Sequence, residues 1–110
     1  MRRFSASDLK QHLDQCQTQS SELPLLLDVR EPWEFEKCQL DGSILIPMRQ
    51  IPSALDDLDP EKEIVVICHH GIRSRQVAYY LEQQGFDNLI NLEGGVEAWA
   101  QDVDPTMERY

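Results

Sequence analysis

The residues with the clearest chemical potential are consecutive: Ile67-Cys68-His69-His70-Gly71-Ile72-Arg73-Ser74. An apolar run ends at Cys68, a four-residue stretch with one glycine follows, and a helical pattern begins near Ser74. A cysteine at such a strand-to-helix junction puts its sulfur where unpaired backbone N–H groups and the positive end of a helix converge. That environment favours thiolate, the nucleophilic form of cysteine. Arg73 is expected to face a bound anion, Arg75 to lie two residues on as a rim charge, and His69 and His70 to contact substrate or point outward. A thiol serving only as core filler would leave this pattern of glycine and arginine unexplained. The inward N–H groups of residues 69 to 73, including those of Gly71 and Ile72, would form the cradle, with Ser74 in support.

This cationic spot stands on an acidic background. The 110 residues carry 10 Lys and Arg against 20 Asp and Glu, a formal charge of −10. Such a chain repels phosphate backbones and anionic headgroups, so neither nucleic acid nor membrane is expected as a partner. No apolar stretch approaches the roughly 20 residues needed to cross a bilayer, and Met1 to Asp8 lacks the apolar middle of a signal peptide, so a cytoplasmic location is expected. Cys16, Cys38 and Cys68 are odd in number with no close-spaced pair, which indicates neither a disulfide framework nor a metal site.

The elements that must position Cys68 alternate. Ser5 and Asp8 form a capping-box pattern ahead of Leu9, Leu13 and Cys16 at helical spacing. Leu25–Leu27, Ile44–Ile46, Ile64–Ile67 and Leu89–Leu92 are short apolar runs, expected as central parallel strands covered on both faces. Ser74–Gln84, stopped by Gly85, reads as a crossover helix, and Val96–Gln101 as another with Val96 and Trp99 on one face. Gln15–Glu22 reads as a connector, Asp56–Glu61 as a solvated turn, and Trp33, Glu34 and Phe35 as a helical turn whose aromatics pack on the sheet. Gly94-Gly95 reads as a tight turn beside the Cys68 loop. Asp28 and Arg30 follow a strand on the same side and are expected as a structural ion pair beneath that loop. One α/β domain over residues 1–110 accommodates all of this.

In order and approximate spacing, Leu27-Asp28-Val29-Arg30 with Glu34-Phe35, Leu40-Asp41-Gly42-Ser43-Ile44-Leu45-Ile46-Pro47, the Cys68 loop, and Leu92-Glu93-Gly94-Gly95-Val96-Glu97-Ala98-Trp99 resemble the rhodanese family. The resemblance implies a three-layer helix/sheet/helix sandwich around a five-stranded, mostly parallel sheet, in a single domain without room for a second copy. It also implies a thiosulfate sulfurtransferase in which Cys68 carries a persulfide. Sulfane sulfur would pass from a small-molecule donor to a thiol or cyanide acceptor, or to a sulfur-accepting protein, with no cofactor. Cys38-Gln39, Ser43 and Leu45 depart from the family pattern, all outside the loop, and Cys38 reads as a structural cysteine. Cysteine phosphatases and arsenate reductases place five residues between cysteine and arginine. Here there are four, which tightens the cradle around a single sulfur. A non-catalytic module that kept the fold would be expected to lose Cys68.

Overall fold

Every residue of Ile64–Ile67 is buried, and its side chains alternate between two separate cores. Ile64 and Val66 join one apolar cluster, Val65 and Ile67 the other. A strand of this kind requires neighbours on both edges and a layer on each face. In the computed structural model, which describes residues 1–110, both are present.

The elements in order are β1 (Arg2–Phe4), α1 (Ala6–Thr18), β2 (Leu25–Asp28), α2 (Pro32–Lys37), β3 (Ile44–Leu45), a 3₁₀ segment (Met48–Asp57), β4 (Ile64–Ile67), α3 (Ile72–Gln83), β5 (Leu89–Leu92) and α4 (Gly95–Asp102). The five strands form one sheet in the order β1-β5-β4-β2-β3, every pair parallel. The 3₁₀ segment and α3 cover one face through Ile51, Val77, Ala78 and Leu81, while α1 and α4 cover the other through Ala6, Leu9, Val96 and Trp99. Each fully buried aliphatic side chain contributes roughly 1.5–3 kcal/mol relative to exposure, so the two cores are what hold the layers together.

Local chemistry sets the element ends. Ser5 Oγ accepts from the Asp8 N–H at 3.1 Å, and the Asp8 carboxylate accepts from the Ser5 N–H at 3.3 Å, which starts α1. The helix continues to Thr18, four residues into the stretch read as a connector, because glutamines are good helix formers. α3 starts at Ile72, ahead of the expected Ser74, after Gly71 at φ +96°. β3 corrects the expectation of a central strand: it is the sheet edge, and Ile44 is exposed. Trp33 is 56% exposed rather than packed on the sheet; it meets the Tyr110 ring edge-on at 5.7 Å. β1 was not legible as a strand. No helix is long and apolar enough to cross a membrane.

Candidate active site

Parallel pairing brings the C-terminal ends of β2, β4 and β5 to one side, and Cys68 follows β4 there. The residue is 1% exposed, with its side chain on the α3 face. The Gly71 N–H donates to Cys68 Sγ at 3.0 Å, and Sγ lies 3.3 Å from Ser74 Oγ. The loop's other side is tied down by α4: the Val96 N–H donates to the Cys68 carbonyl at 2.9 Å and the Glu97 N–H to the His69 carbonyl at 3.1 Å. Two otherwise orphaned N–H groups of a helix N-terminus thus hold the loop's carbonyls. Gly95 permits this approach, since a Cβ there would lie 2.3 Å from both carbonyl oxygens.

Arg73 stands differently from the free anion contact expected of it. Its two terminal nitrogens donate to the Glu34 carboxylate at 2.7 and 2.9 Å, a fork that already compensates its charge. The Arg73 fork holds the Glu34 carboxyl well below its ordinary range, at about 2, with burial opposing and the Glu31 N–H and Tyr110 hydroxyl assisting. Glu34 is a site residue that sequence reading put in a packing turn; it belongs to the pattern that resembles the family, but its buried position in α2 and its pairing with Arg73 are visible only after folding. A carboxyl lowered on folding adds stability at pH values above its unfolded value near 4.5, and the gain is lost as pH falls toward 2. Urea melts should therefore show a fall between pH 5 and pH 2 that is shallower in Glu34→Gln by about 3 kcal/mol; superimposable pH profiles would refute it. Arg75 is exposed, as a rim charge, and Ile72 is 62% exposed.

Asp28 and Arg30 form a completely buried ion pair. Arg30 Nε donates to Asp28 Oδ1 at 2.9 Å and Nη2 donates to Oδ2 at 2.7 Å. The remaining three protons go to the Cys38 carbonyl at 2.6 Å, the Tyr110 hydroxyl oxygen at 2.7 Å and the Glu34 carbonyl at 3.3 Å. Burial works against the guanidinium's charge, but its bonds to Asp28 and Tyr110 outweigh burial and hold it protonated. The Tyr110 hydroxyl in turn donates to Glu34 at 2.8 Å, so one phenol joins both ion pairs; burial pushes its pKa above the ordinary phenol value and keeps it protonated. Nothing in the tail sequence signals this role.

The Tyr110 ring also stacks on His69 at 3.9 Å, and His69 stacks on His70 at 3.9 Å. Burial, then the neighbouring His70, lowers His69 below the usual imidazole range and keeps it neutral at pH 7. His70 is exposed. His69, His70 and Glu97 offer ligand atoms within 4.8 Å of one another. Glu97 of this group also accepts from Arg109 Nε at 2.6 Å. Cys38 packs in the core on the α1 and α4 face, across the sheet from Cys68. A cleft of about 560 Å³ opens beside Arg73, lined by Val29, Glu31, Met48, Arg49 and Pro52.

Asn91 is a third residue that sequence reading passed over, after Glu34 and Tyr110. It is fully buried in β5 and bonded to Ser74 and Gly71. The signal was available: a lone amide inside Leu89-Ile90-Asn91-Leu92, in register with Val66, has to face the same side as Cys68.

The family model of the Rhodanese-like domain matches residues 5–102. The chain belongs to the rhodanese family. Its relatives include the putative sulfurtransferase YtwF of Bacillus subtilis, 41% identical over 73% of this chain and 77% of that protein. The thiosulfate sulfurtransferase GlpE of Pseudomonas syringae is 34% identical over 78% of this chain and 81% of that protein. A longer relative, the chloroplastic rhodanese-like/PpiC domain-containing protein 12 of Arabidopsis thaliana, is 43% identical over 77% of this chain, and the match spans 30% of its length. Among solved structures, a rhodanese-like domain protein from Staphylococcus aureus superposes with a TM-score of 0.80 at 30% identity, covering 100% of this chain and 99% of that one. The rhodanese fold and kinship with sulfurtransferases thus follow from matches that run along the chain, beyond the Cys68 loop alone.

Proposed function

We propose that this rhodanese domain is a sulfurtransferase that moves sulfane sulfur from thiosulfate to a thiol or cyanide acceptor through a persulfide on Cys68. The observation that carries the reading is the Gly71 N–H on Cys68 Sγ at 3.0 Å, in a loop whose carbonyls are held away by α4. Such a donor accommodates a thiolate or the inner sulfur of a persulfide. In the first half-reaction the Cys68 thiolate attacks the outer sulfur of thiosulfate. The sulfur–sulfur bond of the donor breaks and sulfite leaves with its electron pair. In the second, the acceptor attacks the outer persulfide sulfur, and the thiolate of Cys68 is the leaving group. Thiosulfate as donor is supported by the name borne by the Pseudomonas relative. Asp28 and Arg30 act beneath the loop as structure, and Ser74 and Arg73 border it. His69, His70 and the exposed Ile72 form the rim that a donor or acceptor meets, and the cleft beside Arg73 admits a small thiol or a peptide-borne one. Because acceptor thiols must be reduced, a cytoplasmic setting suits the reaction.

Intact mass spectrometry after thiosulfate treatment tests the reading. The wild type should gain one sulfur atom and release it to cyanide as thiocyanate, whereas Cys68→Ala should gain none. Equal sulfur uptake by the variant would remove Cys68 from the mechanism.

A further inference from the structure

Asn91 sits in the middle of β5 with no exposed surface. Its amide nitrogen donates to the Gly71 carbonyl at 3.2 Å and to the Glu93 carboxylate. Both partners offer only lone pairs, which fixes the orientation of the amide. Its oxygen then faces Ser74 Oγ at 2.5 Å. An amide oxygen only accepts, so the proton between them belongs to Ser74. A serine hydroxyl has one proton. What Ser74 turns toward Cys68, 3.3 Å away, is therefore lone pairs, and the bond between the two uses the S–H proton of the cysteine. A charged sulfur in the same place would meet oxygen lone pairs from Ser74 and keep the Gly71 N–H as its donor.

We propose that Asn91 is a positioning residue for Cys68: by accepting the single proton of Ser74, and being anchored itself by Gly71 and Glu93, it holds the resting cysteine as a hydrogen-bond donor and restrains its nucleophilicity. Asn91 touches neither the sulfur nor a substrate in this scheme and acts through the Ser74 hydroxyl. Releasing that hydroxyl lets it rotate and donate to sulfur, which favours the charged form. The proposal rests on the reading of Cys68 as the nucleophile for its biological meaning, though its chemistry can be measured without sulfur transfer. The other charged or titratable groups around the thiol are His69 and His70 in its own loop, Arg73 on α3 with its Glu34 partner on α2, Glu93 after β5, Glu97 on α4, and Tyr110.

The experiment is the pH dependence of Cys68 alkylation by iodoacetamide, followed by mass spectrometry of the Cys68 peptide. The thiolate attacks the methylene carbon and iodide leaves, so the rate tracks the charged form. Asn91→Ala should move the midpoint of the profile down by about one pH unit, which makes alkylation about tenfold faster below both midpoints. In a Ser74→Ala background the same substitution should add no shift, because the hydroxyl it acts through is gone. An unchanged profile in Asn91→Ala, or an equal shift with and without Ser74, would overturn the proposal.

Should Asn91→Ala fail to fold, the half-buried Glu93 decides. Glu93→Ala loosens the Asn91 amide and should shift the profile in the same direction, while Glu93→Gln keeps an acceptor for that amide and should restore the wild-type midpoint. Equal shifts in the two would mean a simple charge effect and would also overturn it. Failure of the wild type to take up sulfur from thiosulfate would instead count against the proposed function and leave these alkylation results standing.

Discussion

Asp28→Ala should cost about 3–5 kcal/mol of folding stability, the range for removing one partner of a buried ion pair. Arg30 would be left charged, fully buried and stripped of the carboxylate that receives bonds from both Nε and Nη2. It cannot escape the charge by losing a proton, since its bonds to Asp28 and Tyr110 outweigh burial in the intact protein and a guanidinium stays protonated in any case. A domain of this size has roughly 5–15 kcal/mol in total, so the thermal midpoint should drop by about 15 °C or more. Replacing both members, Asp28→Leu with Arg30→Met, should recover much of the loss because no uncompensated charge remains. A single variant within 1 kcal/mol of wild type would show that the pair does not hold the three elements it touches, and scanning calorimetry is the direct measure.

The second large effect is expected on activity. Gly95→Ala should reduce thiocyanate formation from thiosulfate and cyanide by about 100-fold or more while the circular dichroism stays that of a folded domain. The added Cβ would lie 2.3 Å from the carbonyl oxygens of Cys68 and His69, and these are backbone atoms that no rotamer change can clear. The loop has to move by something near an ångström, and misplacement on that scale costs about 100-fold in a positioned reaction. Gly95 also has φ +59°, so alanine adds about 1–2 kcal/mol of backbone strain. Gly42→Ala separates the two contributions. It has φ +82° with nothing within 4 Å of its added Cβ, so it should lose a similar amount of stability and keep wild-type turnover. Retention of more than a tenth of wild-type activity by Gly95→Ala would mean that the loop is not held as the α4 contacts imply.

Most of the architecture is written in local patterns. The central strands β2, β4 and β5 are apolar runs apart from Asn91 and the terminal Asp28 of β2, and the Ser5–Asp8 capping box marks the start of α1. β1 escapes because Arg2 and Arg3 give it no apolar run; it exists by pairing Arg2 with Ile90 and Phe4 with Leu92, a match made by the rest of the sheet. The Cys68 loop was legible since its glycine, cysteine and arginine lie within six residues. Its electrostatics were not. Glu34 is 39 positions from Arg73, and Tyr110 is 76 from Glu34, so only the folded chain shows that the arginine expected to wait for an anion already has one.

The placement of the thiols on opposite sides of the sheet has a consequence for oxidative damage. Cys68 stands in the core under α3 and the 3₁₀ segment, while Cys38 stands in the core under α1 and α4, with Arg30 Nη1 against its sulfur at 3.7 Å. Cys16 belongs to α1, which covers the Cys38 face, so a sulfenic acid formed on Cys68 by peroxide has neither of the other thiols on its side of the sheet for a protective disulfide. Its rescue depends on a thiol arriving from solution before oxidation proceeds to the sulfinic acid, from which thiols do not restore it. If Cys68 carries sulfur as proposed, an acceptor thiol that unloads it would also be placed to reduce its sulfenic acid.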